Sequence, residues 1–249
     1  MLNAPLITLS NPLTAEDALA HLTAHADPRR AISMGRYFKT GPGEYGAGDT
    51  FLGLSVPSVR AIAKRFHTLS LSETEDLLHA PEHEARLTAL LILVHRYQKG
   101  AAQERAAIFR LYLSNTQYIN NWDLIDGTAE YIVGAHLYGG DKQILIDFAH
   151  SSDLWQRRIA MLSCFHDIKL GDAASAFTIV NILKNDSHDL IQKAVGWMLR
   201  EIGKRCSRAE LVAWLAQDDH YKTIPRTALR YAIEHFSPEE RQAYLKGGV

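Results

Sequence analysis

An all-α chain of stacked helical hairpins is what this sequence predicts. Helix start signals recur along its length, amphipathic stretches of helical period run between them, and a short motif returns at a nearly constant spacing. No run of residues alternates in the way a half-buried strand would.

Thr14-x-x-Asp17 opens the first helix, since a threonine hydroxyl can take an orphan N–H of the first turn while the acid three residues on reaches back. The stretch Thr40-Gly-Pro-Gly-Glu-Tyr-Gly-Ala-Gly-Asp-Thr50 is too rich in glycine and proline for a helix and is expected to be a loop or short hairpin. Ala85 to Tyr97 and Leu190 to Lys204 are amphipathic helices. Ser207-x-x-Glu210 starts another, and Ser237-Pro238-Glu239-Glu240 combines a serine cap, a first-turn proline and a capping-box glutamate.

The returning motif places a basic residue before small and apolar ones: Arg86-Leu-Thr-Ala-Leu-Leu, Arg157-Arg-Ile-Ala-Met-Leu, Lys193-Ala-Val-Gly-Trp-Met and Arg226-Thr-Ala-Leu-Arg-Tyr, with Trp122 falling in phase between the first two. Positions 86, 122, 157, 193 and 226 lie 36, 35, 36 and 33 residues apart, the period of a helical-hairpin solenoid. Each hairpin leaves an apolar face that only its neighbours cover, so the units should stack into a curved superhelix forming a single domain over 1–249. In this register Trp122, Asp126, Arg158 and Trp197 belong to three successive inner helices and can converge on one ligand.

Composition excludes several function classes. With 249 residues, 47% hydrophobic and 22% charged, the chain has the make-up of an ordinary globular protein with a large core. Its cysteines, Cys164 and Cys206, form no CxxC pair, so neither a disulfide framework nor a structural zinc is expected. The start Met-Leu-Asn-Ala-Pro lacks a basic leader region, and the longest apolar run, Ala89 to Val94, is too short to span a bilayer. A cytoplasmic location, no membrane partner, no metal and no cofactor are expected. Histidines His79 and His83 are separated by Pro81, while His21 and His25 have no nearby carboxylate in sequence, which argues against metal ligation. Gly41-x-Gly43-x-x-Gly46 matches the dinucleotide fingerprint in letters only, because no strand precedes it and Glu44 would face the phosphate.

The net charge of -1 argues against indiscriminate coating of nucleic acid, but the charge is unevenly spread. Residues 28–66 carry seven basic side chains against two acidic, and residues 191–230 carry eight against four. Such clusters are either solvated faces or, if they share a side, a docking surface for an acidic ligand. Arg36, Tyr37 and Lys39 flank the glycine-rich segment and suit an anionic partner. In the second cluster Lys193, Trp197, Arg200 and Lys204 recur at helical spacing, a stripe that a core would not bury. Trp122 and Asp126, at i and i+4, put an aromatic plane and a carboxylate on one helix face, a pairing suited to a cationic ring. Asp126 has a second possible use, a structural ion pair with Arg158. Trp155 and Trp214 are expected in the core.

The segments Met34-Gly-Arg-Tyr-Phe-Lys, Pro57-Ser-Val-Arg, Trp122-Asp-Leu-Ile-Asp126, Trp155-Gln-Arg-Arg158 and Gln192-Lys-Ala-Val-Gly-Trp197 resemble the AlkD-like DNA alkylation repair proteins, bacterial glycosylases of HEAT-like helical repeats. The resemblance covers nearly the whole chain and implies a right-handed α-α superhelix with a basic face for double-stranded DNA, acting as a monomer. It implies excision of N3- or N7-alkylated purines by hydrolysis of the N-glycosidic bond. Asp126 would stabilise the cationic sugar and orient water, Trp122 and Trp197 would offer electron-rich faces to it, Tyr37 would contact the lesion, and Arg158 would hold a phosphate. The repeat phase alone selects Arg157 for the inner face, whereas the resemblance selects Arg158, which is followed here. Lys193, Arg200, Lys204, Arg226 and Arg230, with Arg36 and Lys39, are candidate DNA contacts. The glycine-rich segment looks like an insertion relative to the family's shorter connection. Related proteins with a protruding hairpin bind branched DNA without excision, so a non-catalytic binder of branched or distorted DNA stays open. A protein-interaction scaffold is the third reading.

Overall fold

The computed structural model describes residues 13–249. The opening Met1–Pro5, read above for a leader signal, lies outside the described residues. Among the described residues the elements are helical, and the one β-type contact is an isolated bridge between Thr50 and Glu82. No helix among them is long and apolar enough to cross a membrane. The chain packs as two compact units, Met1–His95 and Arg96–Val249.

In the first unit α1 (Ala15–Thr23) starts at Thr14 with the expected capping box and packs its buried Ala18 and Leu22 side against α3 (Val56–Arg65) and α4 (Leu71–Leu78). Helix α2 (Pro28–Tyr37) has Asp27 as its cap, accepting from the N–H groups of Arg29 and Arg30, and none of its residues is buried. The segment 40–50 is a loop of tight turns, with Gly43 and Gly48 at φ of 78° and 87°, in the left-handed region that glycine enters without penalty. Its end is drawn inward onto the start of α5 (His83–Lys99). The Asp49 carboxylate accepts from Arg86 and from His83 Nδ1 at 2.9 Å, with all three side chains at 5% exposure or less. Phe51 stacks on His83, and the buried Glu84 carboxylate accepts the backbone N–H groups of Leu52, Gly53 and Leu54 at 2.8 to 3.0 Å. A buried anion that takes three backbone donors fixes a loop strongly, because each of those N–H groups would otherwise be stranded.

The second unit comprises α6 (Ala102–Ser114), α7 (Trp122–Asp126), a π-helical turn at Glu130–Gly134, α8 (Ala135–Leu137), α9 (Gln143–Ala149), α10 (Leu154–Ser163), α11 (Phe165–Lys169), α12 (Ala174–Leu183), α13 (Asp189–Arg205), α14 (Arg208–Ala216), α15 (His220–Thr223), α16 (Arg226–Ala232) and α17 (Pro238–Lys246). Ser207 and Ser237 cap α14 and α17 as their spacing predicts. Two rows result: α9 packs on α12, while α10 packs on α13 and α13 on α16, and the hairpins α9–α10 and α12–α13 tie the rows together. Trp155 and Trp214 are core residues, 8% and 6% exposed.

The repeat has a physical marker. Arg86 donates to the carbonyls of Ala80 and Pro81, six and five residues before it; Arg157 donates to those of Ser151 and Ser152, and Gln192 to those of Asp186 and Ser187, at the same two offsets. Each side chain thus folds back to hold the turn that leads into its own helix. The marker puts the fourth anchor at Gln192, correcting the expected Lys193 by one position, since the job needs a long side chain with an N–H donor and not a charge. Lys193 then becomes the counterpart of Arg158. Arg226 departs from the pattern and donates to the Leu245 carbonyl instead.

Candidate functional site

Helix α7 is one turn long, and its capping explains how so short a helix is held. The buried Asn121 side chain accepts the Trp122 N–H at 2.9 Å, and Leu124 and Ile125 are fully buried on the inward side. Trp122 and Asp126 take the other side and are half-buried. Thr128 ties the following turn back to the Leu124 carbonyl and meets the buried Tyr112 hydroxyl at 3.1 Å. The π-helical turn comes next, a form that often accompanies functional sites. Gly134 at its end lies so close to α10 that a Cβ would fall 2.2 Å from the Ser163 carbonyl oxygen.

Arg157 and Arg158 are neighbours on α10 and therefore diverge by about 100°. Arg157 serves the Ser151–Ser152 turn and pairs with Asp186 at 2.7 Å. Arg158, 5% exposed, presents Nε and Nη2 to the two oxygens of Asp126 at 2.8 and 2.7 Å, and Nη1 to the Leu190 carbonyl at 2.5 Å. One guanidinium thereby joins α7, α10 and the start of α13. Of the two arginines it is Arg158 that meets Asp126, and its fork is spent on a carboxylate and a carbonyl. Those bonds hold the Asp126 carboxylate at both oxygens and engage the donors that a phosphate would otherwise take.

Burial pushes the Asp126 carboxyl above its ordinary range; Arg158 opposes that by charge and hydrogen bonding, and the neighbouring Asp123 adds to it. A carboxylate in this state is costly to ionise alone and is kept ionisable by one partner. Such a group interacts strongly with any further positive charge that enters beside it.

Trp197 stands two turns beyond Leu190 on α13 and is half-buried. Its indole lies 5.7 Å from the Phe165 ring, over which Lys169 Nζ sits at 4.5 Å and the Arg205 guanidinium at 5.4 Å. Gly196 beside it lets α13 touch α16, since a Cβ there would meet the Ala228 carbonyl oxygen at 2.4 Å. Phe165, Lys169 and the Leu190 carbonyl were not singled out from sequence. The i, i+4 spacing of Phe165 and Lys169 is a signal that was available; the carbonyl has none. Tyr37 belongs to the first unit, where it ends α2 at 65% exposure with its ring edge-on to Phe38.

The candidate DNA contacts divide by how their charge is already used. Lys193 pairs with Asp189 at 2.6 Å, Arg200 with Glu201 and Glu234, and Lys39 lies 3.9 Å from Glu44. Arg36, Lys204, Arg226 and Arg230 make no ion pair among the described residues, although Arg226 donates to the Leu245 carbonyl. These four carry an uncompensated charge.

The comparisons assign a class to this all-helical fold. The model of the DNA alkylation repair enzyme family matches residues 18–236, and the chain belongs to that family. The chain is similar in structure to a protein described as a predicted DNA alkylation repair enzyme from Enterococcus faecalis, with a TM-score of 0.66 and 19% sequence identity, over 86% of this chain and 97% of that one. At that identity the likeness establishes the fold. Comparison with curated proteins gives no match. The chain is thus a DNA alkylation repair protein of all-helical fold.

Proposed function

We propose that the protein is a DNA glycosylase that releases N3- and N7-alkylated purines from duplex DNA by hydrolysis of the N-glycosidic bond. The observation that carries this reading is the Asp126 carboxylate, mostly buried but still 19% exposed, on the same short helix as Trp122 and held at both oxygens by a buried arginine. Alkylation at N3 or N7 makes the base cationic, so cleavage needs little help from a general acid. The C1′–N bond breaks with its electron pair leaving on the base, which departs neutral, and positive charge builds on the sugar. A carboxylate in a low-dielectric setting stabilises that charge and accepts a hydrogen bond from the attacking water. The cationic substrate in turn favours the ionised form of Asp126, whose burial otherwise resists it. Trp122 and Trp197 would add cation–π attraction of about 0.5 to 2 kcal/mol each. Arg158 acts through Asp126 by fixing its orientation. In the first unit, exposed Tyr37 and Arg36 on α2 are proposed as DNA contacts of that unit.

The test is release of 7-methylguanine and 3-methyladenine from methylated duplex DNA, followed by chromatography. Wild-type protein should release one or both, and Asp126→Asn should do so on the order of 10²–10³-fold more slowly. A wild-type protein that binds duplex DNA but releases neither base, or prefers a four-way junction without releasing either, would end the glycosylase reading.

A further inference from the structure

A compact cavity of about 160 Å³ opens between the C-terminal part of α13, the start of α14 and the turn that follows α16. Four of its lining side chains carry nitrogen donors, Arg200, Lys204, Arg208 and His235, and no carboxylate lines it. Its floor is apolar, formed by Leu211 and Phe236, and Gly203 allows that floor to close in because a Cβ there would sit 2.5 Å from Leu211 Cδ2. The larger cavity between α12 and α14 has the opposite character, being edged by Asp172 and Glu210.

The cations are held in place from outside the cavity. Glu201 at 3.0 Å and Glu234 fix the Arg200 guanidinium, while Glu240 at 2.5 Å fixes that of Arg208, which also lies 4.6 Å from the centre of the Phe236 ring. Those pairs orient the donors and offset much of the charge. Lys204 makes no ion pair among the described residues, so its charge is the uncompensated one. Two braced guanidinium groups and a free ammonium around a small cavity suit a single tetrahedral oxyanion. We propose that this pocket binds one phosphate group, and that in the DNA-bound protein the group is a backbone phosphodiester. The second half of that statement rests on the duplex-binding reading given above; the first does not.

Two arms separate the sources of phosphate. Binding of a fluorescently labelled duplex across a salt series should give a log–log slope for wild type that falls by about one for Lys204→Ala, as loss of one phosphate contact requires, and returns with Lys204→Arg. Inorganic phosphate, followed by its ³¹P line width, should broaden with wild-type protein and stay sharp with Lys204→Ala. If the duplex slope is unchanged by Lys204→Ala while wild type binds DNA normally, the phosphodiester assignment is overturned and duplex binding survives. If wild type shows no salt-dependent duplex binding, the duplex reading fails and the ³¹P arm alone decides the pocket. A phosphate line that is equally sharp with wild type and variant, together with an unchanged slope, removes the site altogether.

Discussion

Asp49 in the first unit and Asp126 in the second each accept from a buried arginine, yet their carboxyls are displaced in opposite directions. Burial raises both. At Asp49 the hydrogen bond from His83 and the charge of Arg86 outweigh burial, and the group is held below its ordinary range. At Asp126 one arginine opposes the burial penalty, Asp123 adds a like charge, and burial prevails. The first carboxylate is saturated by partners belonging to one helix start and serves to pin a glycine-rich loop. The second has one arginine against its burial and keeps a fifth of its side chain exposed. A buried ion pair is thus a clamp or a poised group according to how many donors share the anion, and the two kinds give different experimental signatures.

The largest expected effect lies on the poised pair. Asp126→Asn should lower base release on the order of 10²–10³-fold, the loss typical when a group that stabilises transition-state charge is removed, with a smaller change in stability than its counterpart in the other unit. Asp49→Asn should do the reverse, costing about 3–5 kcal/mol in urea unfolding, because it removes the carboxylate from both Arg86 and His83 at a site where ionisation is favoured, whereas at Asp126 burial already opposes the charge. Measuring release and unfolding midpoints for both variants tests the contrast directly. Equal stability losses would show that the two pairs are the same kind of clamp.

The response to pH should also differ in sign. The folded chain holds the Asp126 proton more readily than the unfolded chain does, so stability falls as pH rises from the ordinary carboxylate value through the raised one. For Asp49 the folded value is depressed; its stabilisation is full above the ordinary value and is lost as pH falls through the depressed one. Urea midpoints from about pH 7 to about pH 3 span the titration of such carboxyls. Over that range, Asp126→Asn should remove a downward component with rising pH and Asp49→Asn should flatten the acid limb. Base release should fall as acid protonates Asp126, starting at a higher pH than an ordinary aspartate would give.

How much of this was legible depended on the distance in sequence over which each interaction acts. The caps at Thr14, Ser207 and Ser237 were readable because donor, acceptor and spacing lie within four residues. The burial of Asp49 was not, because an acid in a glycine-rich stretch reads as solvated until Arg86 and His83, 37 and 34 residues on, are known to meet it. Asp126 and Arg158 were placed together by the register and by family resemblance, with their pairing one of two open uses. What sequence could not convey was that the pair consumes the arginine, since a guanidinium that binds phosphate and one that binds carboxylate are the same letter.

The smallest effect tests the repeat itself. If Gln192 holds the Asp186–Ser187 turn as Arg157 holds Ser151–Ser152, Gln192→Ala should lose hydrogen bonds worth about 0.5–1.5 kcal/mol each. Gln192→Arg should keep them, because only N–H donors of sufficient reach are needed. Lys193→Ala should change unfolding by less than Gln192→Ala, since its pair with Asp189 is exposed on both sides and such pairs are worth about 0.3–0.5 kcal/mol on a helix. The order of those three midpoints decides the register: Lys193→Ala as the most damaging of the set would return the anchor to 193 and make the shared carbonyl pattern a coincidence of three turns. With Gln192 as the anchor, Lys193 occupies on α13 the position that Arg158 occupies on α10. The equivalent side chain is then buried and spent on Asp126 in one repeat and exposed beside Asp189 in the next.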